Sequence, residues 1–205
     1  NNVVLVHGNT TLYTDSLDYD RLYNVGYFFE GGRLVTPDND MTSDWGEYRP
    51  DLKLAIFNYN VHMVSPAPPQ KARTVLQSDS IYYYTETSVT NTRGPSTIDD
   101  GDSHIYTEYA YMNTNTNHLT LLQRSEMSSP GKKIIGDSIV WHSTDSVGEA
   151  FGNVIYTDII NKNAMTGNYC YYNDKLGYTL GTDSACVMDF SQGSDTMYMH
   201  ADSIK

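Results

Sequence analysis

Gly136-Asp137-Ser138-Ile139-Val140-Trp141-His142, followed ten residues later by Gly152-Asn153-Val154-Ile155-Tyr156, is the stretch on which the fold turns. In each half a short polar element that favours a turn runs into apolar residues alternating with others, the period of a strand with one face covered. The first element recurs along the chain as Asp15-Ser16-Leu17, Asp79-Ser80-Ile81, Asp183-Ser184-Ala185 and Asp202-Ser203-Ile204, with a variant at Asp44-Trp45. Aromatic residues alternate into three of the following strands: Tyr19 after Leu17, Tyr83 after Ile81 and Trp141 after Ile139. The second element recurs as Gly8-Asn9-Thr10 and Gly167-Asn168-Tyr169. Glycine allows a backbone bend that other residues resist, and Asn or Asp can bond the local backbone to hold it. Each repeat therefore reads as strand, corner, strand, and stacked units bury one continuous interior.

No stretch keeps the apolar spacing of a helix. Short β-rich runs follow one another instead, among them Val3–Val6, Ala55–Tyr59, Ser80–Thr85, Ser138–His142, Asn153–Asp158 and Thr196–His200. Turn-like connections join them, such as Pro37-Asp38-Asn39-Asp40, Asn113 through Asn117, and Asn173-Asp174. Only Pro66–Pro69 and Gly94–Ser103 read as longer loops. Connections this short imply antiparallel pairing, since parallel strands need long crossovers. The 18 tyrosines, against 5 Phe and 2 Trp, suit half-buried strand faces where a flat apolar ring keeps one edge wet.

The formal net charge of −12 argues against a nucleic-acid partner, which needs basic residues to displace counterions, and against an anionic membrane surface. No apolar run reaches membrane-helix length, so no transmembrane segment is expected. No signal peptide is present, and both ends have the look of cuts in a longer protein. The six histidines form no HxH or HExxH motif, and no CxxC occurs, so neither a metal site nor a cofactor is expected. No GxSxG elbow, phosphate loop or dinucleotide fingerprint occurs, and no enzyme is expected. Asp99, Asp100 and Asp102 lie in an acidic stretch without EF-hand spacing, which reads as a solvated loop. Cys170 and Cys186 could form a disulfide on neighbouring strands in an oxidising compartment; two buried free thiols is the plainer reading.

One constellation remains. Leu17, Tyr19, Ile81, Tyr83, Ile139, Trp141, Val154 and Tyr156 are the candidate inner-face residues. Two readings stay open for them: a closed sandwich core, or sheets that part and take an acyl chain between them.

The run from Gly152-Asn153-Val154-Ile155-Tyr156 through Gly167-Asn168-Tyr169 to Met199-His200-Ala201-Asp202-Ser203-Ile204 resembles the repeat of the OstA-like family. The resemblance is strongest over 133–205 and weaker, though continuous, over 1–132. It implies an all-β jellyroll of two antiparallel sheets in a V-shaped sandwich, a β-taco. In that family the apolar interior holds lipid A acyl chains of lipopolysaccharide, and units associate end to end through sheet edges in the periplasm. On this reading 1–205 is a single OstA-like β domain, a segment of a longer protein, non-enzymatic, whose partners are lipopolysaccharide and other OstA-like domains or itself. Two rivals predict different things: a carbohydrate-binding β-sandwich needs a planar row of exposed aromatics, and a structural self-associating repeat needs a tightly closed core.

Overall fold

The computed structural model describes residues 3–65, 74–193 and 195–205. The Pro66–Pro69 stretch lies outside the described residues. The protein is all-β and antiparallel; apart from a short 3-10 turn at Pro50–Leu52, the described elements are strands. In chain order they begin β1 Val3–His7, β2 Thr10–Thr14, β3 Asp18–Asp20, β4 Val25–Phe28, β5 Gly32–Val35 and β6 Asp40–Ser43. Next come β7 Trp45–Arg49, β8 Leu54–Ser65, β9 Thr74–Tyr84, β10 Val89–Asp99, β11 His104–Thr107 and β12 Tyr109–Asn113. The last are β13 His118–Ser129, β14 Lys132–His142, β15 Val147–Asp158, β16 Asn163–Asn173, β17 Tyr178–Asp189 and β18 Met197–Ile204.

Contacts group the chain into two compact units, Asn1–Gly101 with Tyr109–Asn115, and Asp102–Glu108 with Thr116–Lys205, where the sequence reads as a single domain. In the first unit, sheet A runs β1, β2, β5, β6, then Val61–Ser65 of β8, Thr74–Ser78 of β9 and Ser96–Asp99 of β10. Sheet B runs β3, β4, β7, then Leu54–Asn58 of β8, Ser80–Tyr84 of β9, Val89–Arg93 of β10 and β12. The long strands thus belong to both sheets and bend in the middle. The second unit repeats the scheme. Sheet C holds β11 and Ser125–Ser129, Lys132–Gly136, Val154–Asp158, Asn163–Gly167, Ala185–Asp189 and Met197–Ala201. Sheet D holds His118–Leu122, Ser138–His142, Val147–Phe151, Tyr169–Asn173, Tyr178–Thr182 and the end of β18.

The bend is built from the repeats. At every corner two residues of one strand oppose one residue of the next, the arrangement of a β-bulge, which bends the strand and sharpens its twist. The pairs are Tyr59-Asn60 and Gly94-Pro95 flanking Asp79, Gln123-Arg124 and Gly152-Asn153 flanking Asp137, and Asp183-Ser184 between Asn168 and Asp202. The two-residue sides carry positive φ: Tyr59 63°, Gly94 82°, Gln123 64°, Gly152 71° and Asp183 57°. The opposing carboxylate secures the corner. Asp44 Oδ2 accepts from Asn60 Nδ2 at 2.6 Å, and Asp137 Oδ2 accepts from Asn153 Nδ2 at 2.9 Å. Asp137 also accepts from Arg124 Nη1 at 3.0 Å; the Asn153 bond and then the guanidinium hold this carboxyl below its ordinary range. The Gly-Asn element is less uniform than its sequence. Gly152-Asn153 makes a corner with two residues and Asn168 one with a single residue, whereas Gly8-Asn9 is the two-residue turn between β1 and β2.

A bulge leaves carbonyls without ladder partners, and buried ones must be satisfied. Buried hydroxyls do this beside the corners. Ser78 Oγ donates to Ser80 O at 3.0 Å, Ser96 Oγ to Gly94 O at 2.7 Å and Ser125 Oγ to Gln123 O at 2.6 Å. The hydroxyls also meet in pairs, Ser78 with Ser96 and Thr107 with Ser125, each 2.8 Å apart. Further along the second unit, small residues occupy the equivalent places: Gly136, Gly167 and Ala185.

Two sequence expectations are corrected. Gly94–Ser103 is largely strand, since Gly94 and Pro95 are a corner and Ser96–Asp99 pairs with β9. Glycine and proline mark a loop in composition, but here they serve the bend. The Asp-Ser elements at 79 and 137 sit inside the long strands β9 and β14 and do not open them, because each strand continues through its corner into the other sheet.

Candidate functional site

The first unit is packed shut. Phe28, Phe57, Tyr83, Leu12, Leu34, Met41, Met63, Leu76 and Ile81 are fully buried between its sheets. The buried amide of Asn39 is bonded there, Nδ2 donating to the Tyr83 hydroxyl at 2.9 Å. Ring pairs such as Phe28 and Phe57, with centroids 6.1 Å apart, pack within it.

The second unit differs. Register places Met127, Ile134, Tyr156, Met165, Val187 and Met199 in one cross-strand row of sheet C. Burial is greatest in the middle of the row: Met127 and Ile134 are half-buried, Tyr156 and Met165 buried, Val187 half-buried and Met199 50% exposed. Opposite, in sheet D, Leu121, Ile139, Ala150 and Cys170 form a buried row close to the corners. Trp141, Gly148 and Tyr172 form the next row, nearer the strand ends. Glycine is required at 148, where a Cβ would fall 2.7 Å from the Trp141 ring, so the indole lies flat over the backbone. Between the sheets lies a cavity of about 200 Å³ lined by Met127, Ile134, Ile139, Trp141, Tyr156 and Tyr172. A wider cavity of about 510 Å³ continues beside it toward Met165, Val187, Met199 and Ile204.

Lys132, Tyr156, Tyr172 and Asp174 line both cavities. Lys132 Nζ donates to the Tyr172 hydroxyl at 2.8 Å and lies 3.7 Å from Asp174 Oδ1, while the Tyr172 hydroxyl donates to Asp174. Tyr172 stacks near Trp141 and tilts against Tyr156, with centroids 6.2 and 6.0 Å apart. Burial raises the Tyr172 and Tyr156 phenols above their ordinary range, and the bond to Tyr172 raises the Lys132 ammonium. At neutral pH the group is therefore a cation bonded to the neutral Tyr172 phenol and close to one carboxylate, with the neutral Tyr156 phenol lining the same apolar gap.

The candidate residues from the sequence divide among these places. Ile139, Trp141 and Tyr156 line the cleft of the second unit, and Val154 is buried beside its corner. Ile81 and Tyr83 lie in the filled interior of the first unit. Leu17 is half-buried, and Tyr19 is 46% exposed on β3, bonded to Asn24. Tyr19 fails as an interior residue because β3 is the edge strand of sheet B and has only three residues. Cys170 and Cys186 are free, the first buried and the second half-buried. Cys170 opposes Gly181 in sheet D, whereas Cys186 opposes Thr166 in sheet C, so the corner of β17 separates them. Burial pushes the Cys170 thiol up to about 12, and Cys186 Sγ lies on the other sheet 3.6 Å from His200 Nε2. Sequence reading missed Lys132, Ile134 and Tyr172. Continuing the alternation back from Ile139 through the Asp137 bulge would have exposed the Lys132–Ile134 face.

The class that fold and site define is an all-β protein of corner-bent strands, non-helical across the described residues, with an apolar cleft between two sheets. Residues 1–71 match the family described as OstA-like protein, so the chain carries an OstA-like segment. The match falls in the part where the sequence resemblance looked weaker. Among solved structures, the chain is similar to LptH of Pseudomonas aeruginosa, described as the LptA-homologous periplasmic component of a conserved lipopolysaccharide transport device. The identity is 12% and the TM-score 0.40, over 70% of this chain and 82% of that one. No curated protein matches. No helix among the described residues is long and apolar enough to cross a membrane.

Proposed function

We propose that the chain is a non-enzymatic periplasmic component of lipopolysaccharide transport, and that the cleft of its second unit receives acyl chains of lipid A. The OstA-like segment supports the general class. The observation that carries the ligand is the contrast between the two interiors: one filled by Phe28, Phe57 and Tyr83, the other leaving space between Ile134, Ile139, Trp141 and Tyr156. Burial of each methylene is worth about 0.8 kcal/mol, so several methylenes in this gap give useful affinity without any attraction to a phosphorylated headgroup, which the net charge of −12 opposes.

Trp141 reports the event directly. In a Trp45→Phe background, titration with lipid A should blue-shift or quench its emission and saturate. Unchanged emission at saturating lipid would refute the cleft as the acyl site.

A second reading, association with another OstA-like domain or a second copy, has its own support. Among the described residues β18 pairs with β17, and it exposes nearly its whole length, including Met197, Tyr198 and Met199. An edge with free backbone groups and apolar side chains adds a further strand readily. A Tyr198→Pro variant that sediments like the parent at every concentration would count against association through this edge.

A further inference from the structure

His118 and His142 stand directly opposite each other on β13 and β14, the first residue of one strand and the last of the other. Both are half-buried. Their rings tilt by 50° with centroids 4.7 Å apart, and the two Nδ1 atoms are 3.3 Å apart. Two adjacent ladder strands fix both backbones, so the pair is brought together by the sheet and not by a mobile turn.

We propose that this pair is a binding site for a divalent first-row metal ion of the zinc class, held through the two Nδ1 atoms. An ion at the usual zinc–imidazole distance of about 2.05 Å from two nitrogens 3.3 Å apart subtends an angle of about 107°, close to tetrahedral. The outer contact of His118 suits the role: Nε2 lies 2.8 Å from Thr120 Oγ1. With Nε2–H donating to that hydroxyl, the tautomer carries its lone pair on Nδ1, the usual arrangement of a supported histidine ligand. The proton between the two Nδ1 atoms of the free pair moves through solvent to Nε2 of His142 when the ion binds.

The described residues hold no group of three or more His, Cys, Asp or Glu side chains suited to a metal. The site therefore supplies two protein ligands, and water fills the other positions. Imidazole with water selects Zn²⁺, Ni²⁺ and Cu²⁺ over Mg²⁺ or Ca²⁺, and Cu²⁺ should bind the most tightly of the three. Such an ion would bridge the ends of β13 and β14 on the outer face of sheet D, apart from the cleft residues Ile139 and Trp141, whose side chains take the opposite face of the same strand.

The test is titration of the ¹⁵N-labelled chain with ZnCl₂, followed through the imidazole nitrogens. His118 and His142 should shift together and saturate at one ion per chain, while MgCl₂ moves neither. His118→Gln and His142→Gln should each abolish the saturable shift, with the backbone spectrum otherwise that of the parent. Thr120→Val should keep the stoichiometry and weaken binding about tenfold, as loss of an outer hydrogen bond does. Cu²⁺ should give an electron-spin resonance spectrum split by two nitrogens, unchanged in Cys186→Ser, which removes the sulfur of the separate Cys186–His200 pair. Shifts spread evenly over all six histidines, or saturation unchanged in either Gln variant, would overturn the site.

Discussion

Lys132 Nζ donates to the Tyr172 hydroxyl at 2.8 Å, and that bond ties the end of sheet C to the end of sheet D across the mouth of the cleft. Elsewhere the two sheets are joined covalently at the corners. The mouth is held by a partly exposed contact of the kind that contributes at most about 1 kcal/mol.

Lys132→Met should therefore leave global stability within about 1 kcal/mol of the parent while easing access to the gap. Stopped-flow uptake of an apolar dye is the measurement. Faster uptake in the variant is expected, and identical rates would mean that the Lys132 contact does not control entry.

Ile139 and Ile134 face the same cleft from opposite sheets, but Ile139 is 2% exposed and Ile134 is half-buried beside open space. Ile139→Ala should cost about 2–5 kcal/mol in urea unfolding, because the rigid surroundings keep the hole. Ile134→Ala should cost clearly less, since its neighbours already border a cavity. Equal losses would mean that the cleft is closed in solution.

The buried hydroxyls at the bends make another measurable claim. Ser96→Ala removes the donor to Gly94 O and the partner of Ser78, and should destabilise the first unit by about 1–3 kcal/mol. Ser191, exposed in a turn, should tolerate alanine with a much smaller loss. Matching unfolding midpoints for the two variants would contradict the role given to the corner hydroxyls.

The two free thiols should behave differently. Native protein should react quickly with a thiol reagent at half-buried Cys186 and slowly at buried Cys170, and both should react in denaturant. The Cys170 thiol is raised from 9.0 to about 12 by burial. Below pH 9 both the folded and unfolded forms keep the proton, so stability is intact. Between pH 9 and 12 only the unfolded thiol ionises, and stability should fall as pH rises through that window. Cys170→Ala should flatten this alkaline slope.

Much of the fold is written in short-range chemistry, and that part is legible. Asp137-Ser138 and Gly152-Asn153 announce a corner because carboxylate, amide and glycine are the groups a bend requires, and the alternation after each announces a strand. What a single chain conceals is pairing. Nothing in Asp79-Ser80 says that it faces Gly94-Pro95, so the latter looks like loop. Nothing in Cys170 and Cys186 says that a corner puts them on different sheets. Of the inner-face residues, Ile81 and Ile139 occupy equivalent positions two residues past a corner Asp. One meets a filled interior and the other a cleft because of what the opposite sheet contributes, namely the fully buried Leu12, Leu34, Met41, Met63 and Leu76 in the first unit against a row with half-buried Ile134 and Val187 in the second. Volume across a gap is a property of two surfaces, and periodicity along one strand carries no information about it.

The corners also govern how such a chain can change length. Because side chains alternate strictly between lining and solvent, loss or gain of one residue between Asp137 and Asn168 would invert every position up to the next bend. Removing a whole hairpin from one corner to its equivalent leaves phase, bend and pairing partners intact. Descendants of this architecture should thus differ by complete hairpins, with copy number setting how many rows of side chains line the cleft.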